Sequence, residues 1–94
     1  MNILKNKVAI VTGGGTGIGK AIAKLFSLEG AKVIIASRNQ ENLVNAVNDI
    51  RQSGNEIIDY YKTDVTNTED VANLFSFVFN KHGSIDVLVN NSGV

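Results

Sequence analysis

The stretch Thr12-Gly13-Gly14-Gly15-Thr16-Gly17-Ile18-Gly19 constrains this chain more than any other. An apolar run, Val8-Ala9-Ile10-Val11, leads into it, and an amphipathic helical pattern leads out. A chain turning sharply from strand to helix visits positive φ, which glycine adopts without a steric penalty. Glycine also removes the Cβ that would keep a phosphate away from backbone N–H groups. The helix beyond contributes unpaired N–H groups and the positive end of its dipole, which together attract an anion. The stretch therefore reads as a nucleotide-phosphate loop. A glycine-rich turn with no ligand is the plain alternative, but it leaves the entropy lost at three consecutive glycines uncompensated.

The rest of the chain is organised by short apolar runs alternating with helical periodicity. A buried strand is expected over 7–12, followed by a helix over 18–29 with Ile18, Ala21, Ile22, Leu25 and Phe26 on its inner face. Gly30 stops that helix in a left-handed conformation. A second strand over 31–37 has no polar alternation, so both of its faces should be covered. Asn39 caps a second helix over 40–53, with Leu43, Ala46, Val47 and Ile50 inward and Gly54 as its stop. A third strand is expected over 56–62. Thr68 then caps a third helix over 69–82, whose inner stripe is Val71, Leu74, Phe75 and Val78. Phe77 and Phe79 fall off that stripe, exposed or packed on something outside this chain. Lys81 and His82 suit the helix end, where His82 reads as a surface residue complementing the dipole. Gly83 ends the helix, a fourth strand covers 85–90, and Asn91-Ser92-Gly93-Val94 is a turn.

The order β-α-β-α-β-α-β, without repeats or linkers, argues for an α/β fold: a doubly wound parallel sheet of Rossmann type with strand order 3-2-1-4. In such sheets ligands bind at the carboxyl ends of the strands. Residues 12–19, 37–39, 64–65 and 90–94 all fall at such ends, and this convergence outweighs any single motif. The bulk properties agree with one small globular domain: 94 residues, 44% hydrophobic, 19% charged. Nine basic and nine acidic residues balance, which favours neither nucleic acid nor an acidic membrane surface as partner. No cysteine is present, excluding disulfides, thiolate catalysis and cysteine-based zinc sites. The first residues contain too short an apolar run for a signal peptide, and no run is long enough to span a bilayer. A cytoplasmic location is therefore expected.

Three glycine patterns compete for the loop. The P-loop pattern G-x-x-x-x-G-K-[ST] fits from Gly14 to Lys20, but residue 21 is Ala and lacks the hydroxyl that would hold Mg²⁺. The pattern G-x-G-x-x-G fails in every register, because its third glycine falls on Ile18, Lys20 or Ile22. T-G-x-x-x-G-x-G does fit, as Thr12, Gly13, Gly17 and Gly19. With Asp64-Val65 after the third strand and Asn90-Asn91-Ser92-Gly93 after the fourth, the whole chain resembles the classical short-chain dehydrogenase/reductase family. Ser92 stands where the family usually has Ala, a small-for-small change. The glycine loop and Ile35-Ala36-Ser37-Arg38 look most like the 3-oxoacyl carrier-protein reductases and the 2,4-dienoyl-CoA reductases within it.

The resemblance implies a dinucleotide cofactor and assigns roles. Gly13 makes the turn, while Gly17 and Gly19, with Thr16 and Ile18 between and beside them, allow close approach of pyrophosphate and of helix to sheet. Asp64 accepts from the adenine amino group and Val65 lines the ring; a turn-forming Asp is the ordinary alternative. Asn90 ties strands together, and Asn91, Ser92 and Gly93 line the ribose and nicotinamide side. At the end of the second strand, where NAD-binding folds carry an acid, stand Ser37, Arg38 and Asn39. A guanidinium beside a small hydroxyl suits a 2′-phosphate, so NADP(H) is expected over NAD(H), against the alternative of a solvated surface Arg.

The catalytic positions of the family, a Tyr and a Lys spaced Y-x-x-x-K with an upstream Ser, have no counterpart in this sequence; Tyr60-Tyr61-Lys62 has the wrong spacing. Residues 1–94 thus read as the NADP-binding part, the N-terminal half of a longer domain, inactive by itself. The intact protein would be a homo-oligomeric, NADP(H)-dependent oxidoreductase reducing a carbonyl or enoyl group of a small-molecule substrate. The rival reading is a non-catalytic nucleotide-binding module. No metal site is expected.

Overall fold

The computed structural model describes residues 3–53 and 57–91. Seven elements alternate: β1 (Val8–Thr12), α1 (Gly17–Leu28), β2 (Lys32–Ser37), α2 (Gln40–Gln52), β3 (Ile58–Lys62), α3 (Thr68–His82) and β4 (Val87–Asn90). The strands pair in the order β3-β2-β1-β4, all parallel. Ile10 lies beside Ile34 on one side and Leu88 on the other, so β1 is central. The expected α/β architecture and strand order are therefore present. The expected stop at Gly54, the start of the third strand at Glu56 and the turn residues Ser92 and Gly93 lie outside the described residues.

β1 is buried along its whole length, and β2 at all but its end residues, as their unbroken apolar runs require. Alternate side chains feed two cores. Val11, Val33, Ile35 and Ile58 meet Ala23 of α1 and Leu43, Ala46, Val47 and Ile50 of α2. Val8, Ile10, Ile34 and Ala36 meet Leu74 and Val78 of α3. Helices thus cover both faces. The α2 stripe is the one the periodicity predicts, and Asn39 caps the helix by accepting from the Asn42 N–H at 3.0 Å.

Three expectations are corrected. The inner face of α1 is Gly19, Ile22, Ala23, Phe26 and Ser27, one residue on from the predicted register in part. Ile18 and Leu25 point outward, 72% and 59% exposed. Small residues win the inner positions because they let the helix approach the sheet closely. In α3, Phe77 rather than Phe75 turns inward, stacking on Tyr61 with ring centroids 4.7 Å apart. Phe79 is exposed, as expected. The N-cap of α3 is Asn67 and not Thr68: Asn67 is extended (φ −105°, ψ 112°) and its side chain accepts from the Asp70 N–H, while Thr68 is already helical. Gly30 and Gly83 close α1 and α3 at φ +94° and +79°.

Candidate nucleotide site

β1, β2 and β3 all end at one side of the sheet, and hydrogen bonding continues past them. The Gly13 N–H donates to the Ala36 carbonyl and the Thr63 N–H to the Ser37 carbonyl, each at 2.7 Å. These bonds hold the three loops side by side around a cavity of about 690 Å³. Gly13, Gly15 and Thr16 line it from the first loop, Ser37, Arg38 and Asn39 from the second, and Thr63, Asp64, Val65 and Thr66 from the third. Asn42 of α2 completes the wall.

The glycine loop has the geometry a phosphate needs. Gly13 and Gly17 take φ +68° and +55°. A Cβ on Gly17 would stand in open space, with nothing within 4 Å, so an incoming group can fill that side. A Cβ on Gly19 would overlap the Gly13 carbonyl oxygen and lie 2.7 Å from Asn91 Nδ2, so here glycine is needed for helix-to-strand contact. Thr16 occupies the N-cap position of α1 without making a side-chain cap bond, and no acid lies in the first turn. The N–H groups and positive dipole end of α1 are therefore available to an anion. Cavity size, glycine clearance and donor set all fit a dinucleotide cofactor.

Opposite the loop, Asp64 Oδ1 accepts from the Thr66 N–H at 2.9 Å and the Thr66 hydroxyl at 2.6 Å. These bonds, with a smaller contribution from the charge of Arg38, hold the Asp64 carboxyl below the usual carboxylate range. The Asp64 N–H is itself held by Asp70 Oδ2 at 2.9 Å. Asp64 therefore presents a fixed acceptor and Arg38 a cation across one cavity. The titratable groups of the described lining are Arg38 and Asp64, a cation and an acceptor suited to binding and orienting a ligand.

Of the residues expected from sequence, Gly13, Thr16, Ser37, Arg38, Asn39, Asp64 and Val65 line the cavity together. Gly17, Ile18, Gly19 and Asn91 do not line it; Gly19 and Asn91 face one another beside the loop, and Ile18 is turned to solvent. Asn91 is anchored through its N–H to the Thr12 hydroxyl at 3.0 Å, and that hydroxyl lies 3.2 Å from Asn90 Oδ1. Ser92 and Gly93 fall outside the described residues. Asn42, Thr63 and Thr66 line the cavity but were missed by sequence reasoning. Asn42 was signalled by its place three residues past the Asn39 cap, which puts it at the same helix end. His82 departs from its expected role: it is half-buried, and burial, then Lys32 and Lys81, push its imidazole below the usual range.

The family model for short chain dehydrogenases matches residues 7–94. An uncharacterized oxidoreductase of Staphylococcus aureus (strain USA300) is 44% identical over 93 residues, covering 99% of this chain and 39% of its own length. Among solved structures, the apo-form glucose dehydrogenase of Caenorhabditis elegans superposes with a TM-score of 0.93 at 40% identity, over 97% of this chain and 39% of that one. A metagenomic short-chain oxidoreductase in complex with NADP gives 0.90 at 37% identity, over 97% of this chain and 41% of that one. The chain thus spans about two fifths of the relatives it matches. With the family model covering nearly its whole length, the chain belongs to the short-chain dehydrogenase family.

Proposed function

We propose that this chain is the NADP(H)-binding part of an oxidoreductase that, in its whole form, transfers hydride to a carbonyl or enoyl group of a small-molecule substrate. One observation carries the cofactor choice. The second strand ends in Ser37-Arg38-Asn39, all three lining the cavity, and no carboxylate stands at that end. An acid there accepts from a ribose 2′-OH, whereas a guanidinium and a hydroxyl satisfy a 2′-phosphate by charge-assisted hydrogen bonds. The NADP found with the metagenomic relative supports the same reading.

When bound, the cofactor supplies the hydride. The work of this chain is to hold it. The first turn of α1, opened by Gly13 and Gly17 and left uncapped by Thr16, takes the pyrophosphate. Arg38 and Ser37 take the 2′-phosphate, Asp64 and Val65 take the adenine, and Asn91, Ser92 and Gly93 border the ribose and nicotinamide. Residues 1–94 form the cofactor-binding domain, and the proton-transfer groups come from the remainder of the whole protein, a cytoplasmic homo-oligomer.

Fluorescence titration tests the cofactor assignment. NADPH is expected to bind at least about tenfold more tightly than NADH, and Arg38→Ala to lose most of that margin, since hydrogen bonds to charged groups contribute about 1.5–3 kcal/mol. Arg38→Asp should turn the preference towards NADH. Equal affinity for the two cofactors, or unchanged NADPH binding by Arg38→Ala, overturns the assignment.

A further inference from the structure

The third loop carries more organisation than an adenine contact by itself requires. The backbone of Asp64 is held at both ends: its N–H by Asp70 Oδ2 at 2.9 Å, its carbonyl by the Asn67 N–H at 3.0 Å. Its carboxylate is then pinned on one oxygen only. Oδ1 takes both the N–H and the hydroxyl of Thr66, while Oδ2 accepts no hydrogen bond among the described residues. Thr66 is exposed and lines the cavity together with Asp64 and Val65, so its hydroxyl is not needed to fill a core. A carboxylate held this way cannot turn about its Cβ–Cγ bond without breaking two hydrogen bonds.

Resting on the reading of this cavity as a dinucleotide site, we propose that Thr66 is a positioning residue. It fixes the Asp64 carboxylate so that a single oxygen faces the cavity, and thereby makes the site selective for a base bearing an exocyclic amino group. A fixed acceptor rewards the amino donor of adenine. It meets the carbonyl of hypoxanthine with an unfavourable acceptor pair, and it cannot swing to the neighbouring ring N–H of that base. A carboxylate freed from the Thr66 hydroxyl can make that swing, so loss of the hydroxyl is predicted to relax base choice rather than abolish binding. The Thr66 hydroxyl and N–H bonds, and to a lesser extent the charge of Arg38, favour the ionised carboxylate, so the acceptor persists across the neutral range.

The test compares NADPH with reduced nicotinamide hypoxanthine dinucleotide phosphate, titrated against the wild-type chain, Thr66→Val and Thr66→Ser. The wild type should prefer the adenine form by about tenfold, a hydrogen bond gained against one opposed. Thr66→Val should bring the two within about threefold, and Thr66→Ser, which restores the hydroxyl, should keep the wild-type ratio. A wild-type ratio retained by Thr66→Val overturns the positioning role and leaves the cofactor assignment standing. Equal binding of the two bases by the wild type overturns the Asp64–adenine contact and this proposal with it. Equal binding of NADPH and NADH, with the base ratio intact, overturns only the role of Arg38. Failure of the wild type to bind either adenine cofactor overturns both.

Discussion

α1 and α3 each begin just beyond the carboxyl end of a strand, and their N-termini are built in opposite ways. α3 is sealed: Asn67 caps it, and Glu69 and Asp70 lie in its first turn. α2 is sealed similarly, with Asn39 as cap and Glu41 in the first turn. α1 has Thr16 in the cap position with no side-chain cap bond and no acid in its first turn. Its first turn also carries glycine at positions 17 and 19, which lowers helix propensity. A helix end left open where its neighbours are closed gives up stability that a cap would supply. That loss makes sense only where another anion takes the position. The sealed ends satisfy their own N–H groups, and the open end leaves its N–H groups for the proposed ligand.

The sharpest way to break this contrast is to give α1 the terminus of α3. Thr16→Asp places a capping carboxylate at the open end. The unliganded chain should become more stable by about 0.5–1 kcal/mol, from the cap and the dipole together. NADPH affinity should fall by about 100-fold, because the new charge occupies the phosphate position and repels it. Urea unfolding and fluorescence titration of one variant read both effects. A loss in both, or a gain in both, would show that the open end is not held for an anion.

These two kinds of terminus differ in how readable they are. Asn39 and the α2 stripe follow from local pattern, because cap and apolar positions agree. At α3, Asn67 and Thr68 are both good caps in sequence, and only backbone conformation decides between them. Interior faces were harder where apolar residues crowd both sides of a helix. α1 carries Ile18, Ala21 and Leu25 as one stripe and Ile22, Ala23 and Phe26 as another, and close packing selects the stripe with Gly19 and Ser27. Phe75 and Phe77 competed in the same way, and Tyr61 on β3 settled the matter by stacking on Phe77. In the candidate site, residues adjacent to strand ends were legible because parallel topology alone brings those ends together. Thr66 was not, since its place depends on how the third loop folds back, which spacing does not encode.

The smaller, converse change sharpens the comparison from the sealed side. Asn67→Ala removes the Asp70 N–H acceptor and should cost about 1 kcal/mol of stability, within the range for lost N-caps. Asn67→Ser, which can cap, should recover most of it. The midpoint of urea unfolding measures both. Thr16→Ala, by contrast, should leave the midpoint nearly unchanged, since its side chain makes no cap bond to lose. A comparable loss at both positions would erase the distinction.

The least of the effects lies at the far end of α3. Lys81 and His82 occupy its last turn, where positive charge complements the dipole. His82 does not follow that rule. Burial disfavours its charged form most, and Lys32 of β2 and Lys81 add repulsion, against a weaker attraction from Asp59 of β3; Arg51 of α2 lines the same hollow. A histidine that binds its proton less readily when folded contributes stability above the unfolded pKa of about 6.5 and loses it as pH falls towards the lower, folded value. It is the chain's single histidine, and the lowered carboxyls of Asp49 and Asp64 titrate further into acid. A decline in stability between about pH 7 and pH 5 should therefore report His82, a small effect because solvent still screens part of the ring. His82→Gln should flatten that decline. A slope that survives the substitution belongs to another group and overturns the assignment to His82, while a wild type that gains stability on acidification shows that the dipole outweighs burial at this end of α3.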